Sequence, residues 1–213
     1  MSGSLSCTAE ENPFCSRRIR PGAMPYLFPP GQSAQDLVAV LRRADWWGEI
    51  IGPHGSGKSA LLAACTAVLD QAGRPTRLVA LHDGQRRLPP GLTDDRQLAP
   101  STVVMVDGYE QLSWWSRWRL KGRCRRGGLG LLVTAHRTVG LPRIAQTAPS
   151  LELAERIVAQ LTADRRPPVD SGSIRECYAR HRGNLREVLF DLYDLTEQHL
   201  SRTETQPRRG VSH

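Results

Sequence analysis

The sequence predicts an α/β fold: a parallel sheet sandwiched by helices, with a small helical appendage near its C-terminal end. Three observations carry this. Apolar runs of strand length alternate with longer segments of helical periodicity, the order that builds a parallel sheet covered on both faces. The first strand-to-helix junction, Ile51 to Leu62, reads IGPHGSGKSALL, with glycines standing where a helix begins. After the proline-containing stretch RRPPVD, two helical segments follow with no strand between them.

Taken in order, residues 1–32 are rich in Pro, Gly and Ser and read as an irregular arm packing over the domain. Residues 33–164 form the sheet domain, 165–200 a helical lid and 201–213 a disordered tail. Ser33 can cap AQDLVAVLRRA, whose Leu37, Val38, Val40 and Leu41 make one apolar face. WWGEII (Trp46 to Ile51) is a first strand. The alanine- and leucine-rich helix after the glycines stops at Gly73 in the C′ position. TRLVALH (Thr76 to His82) is a second strand, followed by a long polar connection with a helical turn near Asp94 to Gln97. STVVMVDGYEQL is a continuous apolar run ending in an acid, the pattern of a buried parallel strand. A tryptophan- and arginine-rich helix spans about Ser113 to Arg125, and GLGLLVTAHR is another buried strand. The strand-like RIAQTA leads to a helix from Leu151 to about Ala163, with Ser150 as its cap. The last two helices, SGSIRECYARHR and NLREVLFDLYDLTEQHL, join at Gly183.

Within IGPHGSGKSALL, Gly52, four spacers, Gly57, Lys58 and Ser59 have the spacing G-x-x-x-x-G-K-S of a phosphate-binding P-loop. Glycines let consecutive backbone N–H groups turn inward toward phosphate oxygens, and the following helix adds the positive end of its dipole. Gly52, Pro53, His54, Gly55, Ser56, Gly57, Lys58, Ser59 and Ala60 are therefore the candidate nucleotide-binding residues, with ATP and Mg²⁺ as the expected ligands. Lys58 reaches the β/γ-phosphates and Ser59 ligates the metal. The chain has only two lysines, Lys58 and Lys121, so a lysine here is unlike its arginine-dominated surroundings. Lys58 is expected to face solvent when no ligand is bound.

A phosphate loop needs an acid for the metal and a group to handle water. Asp107, at the end of VVMVD, has the form of a Walker B acid and is the second candidate metal residue. The position after it, often a glutamate in such ATPases, is Gly108, and the nearest acid is Glu110, a candidate general base. Thr134 and His136, polar at the end of LGLLVTAHR, are alternative sensors of the terminal phosphate or the water. Arg137 and Arg143 follow and read better as solvated surface than as phosphate ligands.

Composition sets the outer limits. With 213 residues the chain holds one α/β domain and a small appendage. No run of 18 apolar residues occurs, and the N-terminal residues lack a basic region followed by an apolar one, so neither a membrane span nor a signal peptide is indicated; a cytoplasmic location is expected. Five cysteines, without a C-x-x-C pair, fit reduced thiols. The net charge of +8, carried almost wholly by arginine, permits DNA or RNA binding.

GPHGSGKS, VVMVDGYE, LLVTAHR and RGNLREVLFDLYDL together resemble an AAA+/STAND-type P-loop ATPase over about residues 30 to 200. G-N-L-R at Gly183 to Arg186 is similar to the sensor 2 motif of AAA+ lids, which implies that Arg186 reaches the γ-phosphate. The arm from Asn12-Pro13-Phe14 resembles the entry of the secretion- and transposition-associated AAA+ ATPases, which implies adenine contacts from Arg20, Pro21 and the Tyr26 to Pro30 segment. The next strand-like segment begins only six positions after Arg137, too close for the helix that carries an AAA+ arginine finger; a hexameric ring motor is not expected. The reading is an ATP-binding, slowly hydrolysing ATPase whose nucleotide state sets its lid for a protein partner. The alternatives are a small-molecule or nucleoside kinase, with the segment between His82 and Ser101 as its lid, or a DNA-binding module using ATP as a structural ligand. A GTPase is disfavoured, because no N/T-K-x-D motif is present.

The helix SWWSRWRLKGRCRR interleaves Trp114, Trp115 and Trp118 with arginines. These side chains could stack bases and pair phosphates. The i, i+4 spacing of Trp114 and Trp118 favours the other reading, indoles packed on the sheet with the arginines solvated.

Overall fold

The computed structural model describes residues 12–15, 24–82, 84–89, 92, 98–163 and 169–205. Arg20, Pro21 and the turn expected at Asp94 to Gln97 lie outside these residues. The chain divides into two compact units, one of them Pro25–Ala148 and the other holding the chain from Pro149 onward together with the segment around Asn12. The sequence reading ended the sheet domain at residue 164; the compact units separate between Ala148 and Pro149.

The first unit carries five strands, β1 (Trp47–Ile51), β2 (Thr76–Ala80), β3 (Val103–Asp107), β4 (Gly130–Ala135) and β5 (Arg143–Gln146). They form one parallel sheet in the order β2-β3-β4-β1-β5. Helices α1 (Ala34–Arg43), α2 (Lys58–Gln71) and α3 (Trp114–Arg126) cover it. Period-2 alternation divides the strands between two cores. Val104, Val106, Leu131 and Val133 meet Leu112, Leu120, Cys124 and Leu129 on one face. Val103, Met105 and Leu132 meet Leu41, Leu61, Leu62, Cys65 and Leu69 on the other.

Local chemistry starts and stops these elements as expected. Ser33 Oγ accepts from the Asp36 N–H, and Ser113 Oγ from the Ser116 N–H, at the starts of α1 and α3. Gly73, at φ +66°, closes α2, with the Arg74 N–H bonded to Leu69 O at 2.9 Å. The first strand starts one residue later than read, because Asp45 and Trp46 both take positive φ in the turn from α1.

Parallel neighbours ordinarily need a long crossover, yet β4 reaches the far side of β1 in the stretch 136–142, with no helix. Register explains this. β4 runs to Ala135 opposite Ile51, while β5 starts with Arg143 opposite Glu49. The link therefore drops back only about two residues, roughly 7 Å. Glu49, buried on β1, anchors it by accepting from the N–H groups of Val139 and Leu141 at 2.8 and 3.2 Å.

The tryptophans of α3 correct the sequence reading. Trp114, Trp115 and Trp118 are 61–67% exposed, and Leu120 with Cys124 faces the sheet instead. Small side chains let the helix seat closely on Leu131 and Val133, where indoles would hold it away.

The second unit comprises α4 (Leu151–Leu161), α5 (Ser171–Arg180) and α6 (Leu185–Thr205). Ser150 and Asp170 cap α4 and α5. Gly183, at φ +80°, turns the chain between α5 and α6. Asp191 on α6 accepts from Arg180 Nη1 at 2.9 Å and His181 Nε2 at 2.7 Å. Burial opposes its ionised form, but these two donors outweigh it and hold the carboxyl below its ordinary range. Asn12 donates to Glu197 Oε1 at 2.8 Å and to Tyr193 O, fastening its segment to α6. The last helix, read as ending at Leu200, continues to Thr205, since no proline or glycine interrupts SRTET; residues 206–213 of the expected tail lie outside the described residues. Among the described residues no helix is long and apolar enough to cross a membrane.

Candidate nucleotide-binding site

The site gathers where the theory of parallel sheets places it, at the C-terminal ends of β1, β3 and β4. β1 passes into Gly52 and then the loop to α2. Gly55 and Gly57 take φ of +66° and +89°, which turns the loop in a way few side-chain-bearing residues tolerate. Gly52 is required for a different reason: a Cβ there would stand 2.1 Å from Thr147 Oγ1 and 2.6 Å from Thr147 O. Thr147, just past β5, also shares a 2.6 Å hydrogen bond with Ser56 Oγ, and Ser56 Oγ donates to Pro53 O. The loop is thus locked from the β5 side by a residue that sequence reading missed.

The helix start is prepared for an anion. Ser33, Ser113, Ser150 and Asp170 each cap a helix through a side chain, whereas α2 starts at Gly57 with no side-chain cap and no acid in its first turn. Gly57 supplies no side-chain acceptor to the first turn, and Lys58 brings a positive charge. These features fit a bound phosphate.

Lys58 departs from expectation. It is buried, and its Nζ donates to Gly52 O and Pro53 O, both at 2.7 Å. Its flexible stem folds the ammonium back onto loop carbonyls, which satisfy the buried donors. Nζ also lies 3.4 Å from His136 Nδ1.

β3 delivers Asp107 and then Gly108, whose φ of +80° starts the 3-10 turn Tyr109–Gln111. Thr134 and His136, alternatives in the sequence reading, have separate places. Thr134 is fully buried; its hydroxyl donates to Asp107 Oδ1 at 2.5 Å and accepts from the Gly108 N–H at 2.9 Å. It fixes the acid at the strand end. Beyond the end of β4, His136 lies with Nε2 2.7 Å from Glu110 Oε1 and its ring against His54, tilted by 37° at a centroid distance of 3.6 Å. Burial and the Lys58 charge lower the basicity of His136, against the pull of Glu110. Nε2 faces Glu110, while Nδ1 stands between Lys58 Nζ at 3.4 Å and Gly52 O at 3.2 Å; a neutral ring donates from only one of its two nitrogens.

Glu110 Oε2 is buried with no partner among the described residues, an acceptor that a water molecule would satisfy. Its turn is held from α3, where Arg117 donates to Glu110 O at 2.7 Å and to Leu112 O at 2.9 Å. Sequence reading placed Arg117 in a surface patch; the arginine instead supports the turn that carries the candidate base. Ser59 stands in the first turn of α2 and Asp107 at the end of β3, an oxygen pair of the chemistry Mg²⁺ takes. Ala60 follows in the same turn. Tyr26, half-buried, lies beside the loop, with a ring carbon 3.3 Å from where a Cβ on Gly57 would be, and packs edge-on against Phe28. Arg137 and Arg143 are exposed. Arg186, exposed in the first turn of α6, belongs to the other compact unit.

The segment considered as a kinase lid is tied down where it is described. Leu92 is buried among Val104 and Val106, with Leu88 and Leu98 packed against the same core.

This sheet order, loop and acid together define a P-loop nucleoside triphosphatase fold of the α/β class. Solved structures narrow the fold to that of the AAA+ P-loop ATPases. The chain is similar to RuvB of Thermotoga maritima, at 13% identity and a TM-score of 0.59 over 83% of this chain and 64% of RuvB. It is also similar to Hsp104 of S. cerevisiae in its ADP complex, at 14% identity and a TM-score of 0.54, over 88% of this chain and 33% of Hsp104. A Walker-type ATPase of Pyrococcus abyssi matches at 12% identity and a TM-score of 0.50, over 84% of this chain and 72% of that one. The chain thus spans less than two thirds of RuvB, and at these identities the likeness is one of fold. No protein-family model matches the chain, and no curated protein matches it in sequence.

Proposed function

We propose that this chain is an ATP-binding, slowly hydrolysing AAA+-like ATPase whose nucleotide state sets its helical lid for a protein partner. The observation that carries it is the juxtaposition Lys58–His136–Glu110, which brings the loop lysine and the candidate base to opposite edges of one imidazole. Lys58 and the N–H groups at the start of α2 hold the phosphates. Ser59 and Asp107 hold Mg²⁺, which when bound neutralises phosphate charge and orients the terminal phosphoryl group. Thr134 keeps Asp107 in position. Glu110 accepts a proton from water through the carboxylate whose other oxygen His136 engages. That engagement supports slow turnover, because the base is already committed to one strong hydrogen bond. In this reading His136, 3.4 Å from Lys58, serves as the sensor: phosphate drawing Lys58 off its carbonyls changes what Nδ1 meets. Arg186 reports the γ-phosphate to the lid on the strength of the G-N-L-R resemblance alone.

Hydrogen exchange tests the switch. ATP is expected to protect the Gly183 to Leu200 backbone more than ADP does, and Arg186→Ala to erase the difference while ADP binding persists. Identical protection by ATP and ADP in the unaltered protein sinks the reading.

A further inference from the structure

The outer surface of α3 combines three features that the nucleotide site does not use. Trp114, Trp115 and Trp118 are the most exposed large apolar side chains among the described residues. Successive rings meet edge-to-face, at 70° and 89°, so no two are stacked face to face, and each indole keeps more than half of its surface exposed. The helix carries six cationic side chains and no acidic one. Helical geometry orders these groups. Trp118, Gly122 and Arg126 follow one another at i, i+4 and i+8, and Trp115 and Arg119 at i and i+4, so the indoles occupy the first half of the outward face and guanidinium groups the second. Gly122 leaves the line between them bare, and Arg126 Nη1 lies along it, 3.5 Å from where a Cβ on Gly122 would be.

We propose that this face binds single-stranded nucleic acid, bases stacking on the indoles and phosphates pairing with Arg119 and Arg126. The charge and the shape select this partner together. A polyanion is called for by a helix with no acid in a chain of net charge +8. An acidic peptide has the charge but not a flat π-face at every repeat, which an unpaired strand supplies. A bilayer surface calls for a continuous apolar face, whereas the indoles here are followed by arginines and not by aliphatic side chains. A duplex keeps its base faces stacked inside and shows only base edges and phosphates, so it offers the indoles no π-face.

The test uses the full chain, with fluorescein-labelled oligo-dT and oligo-U on the order of 20 nucleotides, long enough for several stacked bases. Duplex DNA of equal length, polyglutamate, heparin and phosphatidylserine vesicles serve as competitors. Binding of the single strands is expected to quench tryptophan emission and to outrank every competitor. Trp118→Ala is expected to weaken it roughly fivefold or more, with Trp118→Phe recovering much of the loss, as a folding defect would not. Arg119→Ala and Arg126→Ala should flatten the salt dependence by about 0.7 in log–log slope per lost phosphate contact. Three results each overturn the proposal: no binding of either oligonucleotide at low salt, binding undiminished when all three tryptophans are replaced by Ala, or preference for polyglutamate, heparin, vesicles or duplex.

Discussion

Glu110 Oε1 and His136 Nε2 stand 2.7 Å apart, and the opposite edge of the same imidazole faces Lys58. The candidate base and the lysine of the glycine-rich loop therefore share one ring.

If Glu110 is the base, Glu110→Gln should leave ATP affinity within a few-fold of the parent and lower steady-state phosphate release by about a hundredfold, the lower end of what a positioned base contributes. Full turnover in this variant would transfer the role to another acid or to none.

Arg117 should matter for the same step from a distance. Its two hydrogen bonds to Glu110 O and Leu112 O are charge-assisted and worth about 1.5–3 kcal/mol each when intact. Arg117→Ala is expected to reduce kcat more than it raises KM for ATP, because the turn carrying Glu110 loosens while the phosphate loop is untouched. A change confined to KM argues against this.

Gly52→Ala tests the lock between loop and β5. The added methyl meets backbone oxygen as well as a hydroxyl of Thr147, and backbone cannot rotate away. A loss of about 1–3 kcal/mol in stability is expected from such overpacking, together with loss of nucleotide binding. Denaturant unfolding and ATP titration measure both; a variant with parental stability contradicts the packing described.

The basicity of His136, lowered by burial and by Lys58, has a thermodynamic consequence. The unfolded chain takes up a proton on this ring near the ordinary value of about 6.5, while the folded chain resists until lower pH. Stability should therefore fall as pH is lowered from about 7 toward 5, and this part of the dependence should vanish in His136→Asn. Thermal unfolding of the two proteins across that window makes the comparison. Parallel curves count against the assignment.

The glycine-rich loop before α2, the apolar strand ending in Asp107, the caps at Ser33 and Ser150 and the stop at Gly73 were legible because each is written within a few residues: positive φ calls for glycine, an orphan N–H calls for a hydroxyl, and a strand buried on both faces calls for an unbroken apolar run. The α/β class follows from the order of such segments. What tertiary structure decided lies between residues far apart in the chain. Thr147 meets Ser56 across 91 positions and Glu49 meets Val139 across 90, contacts that depend on where β5 aligns along β1. Spacing placed Trp114 and Trp118 on one side of α3 but left open which side the sheet accepts; Leu120 and Cys124 won because they allow closer approach. Thr134 and His136 ended the same strand with equal claims. The pleat turned one inward to Asp107, and the chain beyond the strand carried the other out to Lys58 and Glu110, a separation that exists only once three strand ends are assembled side by side.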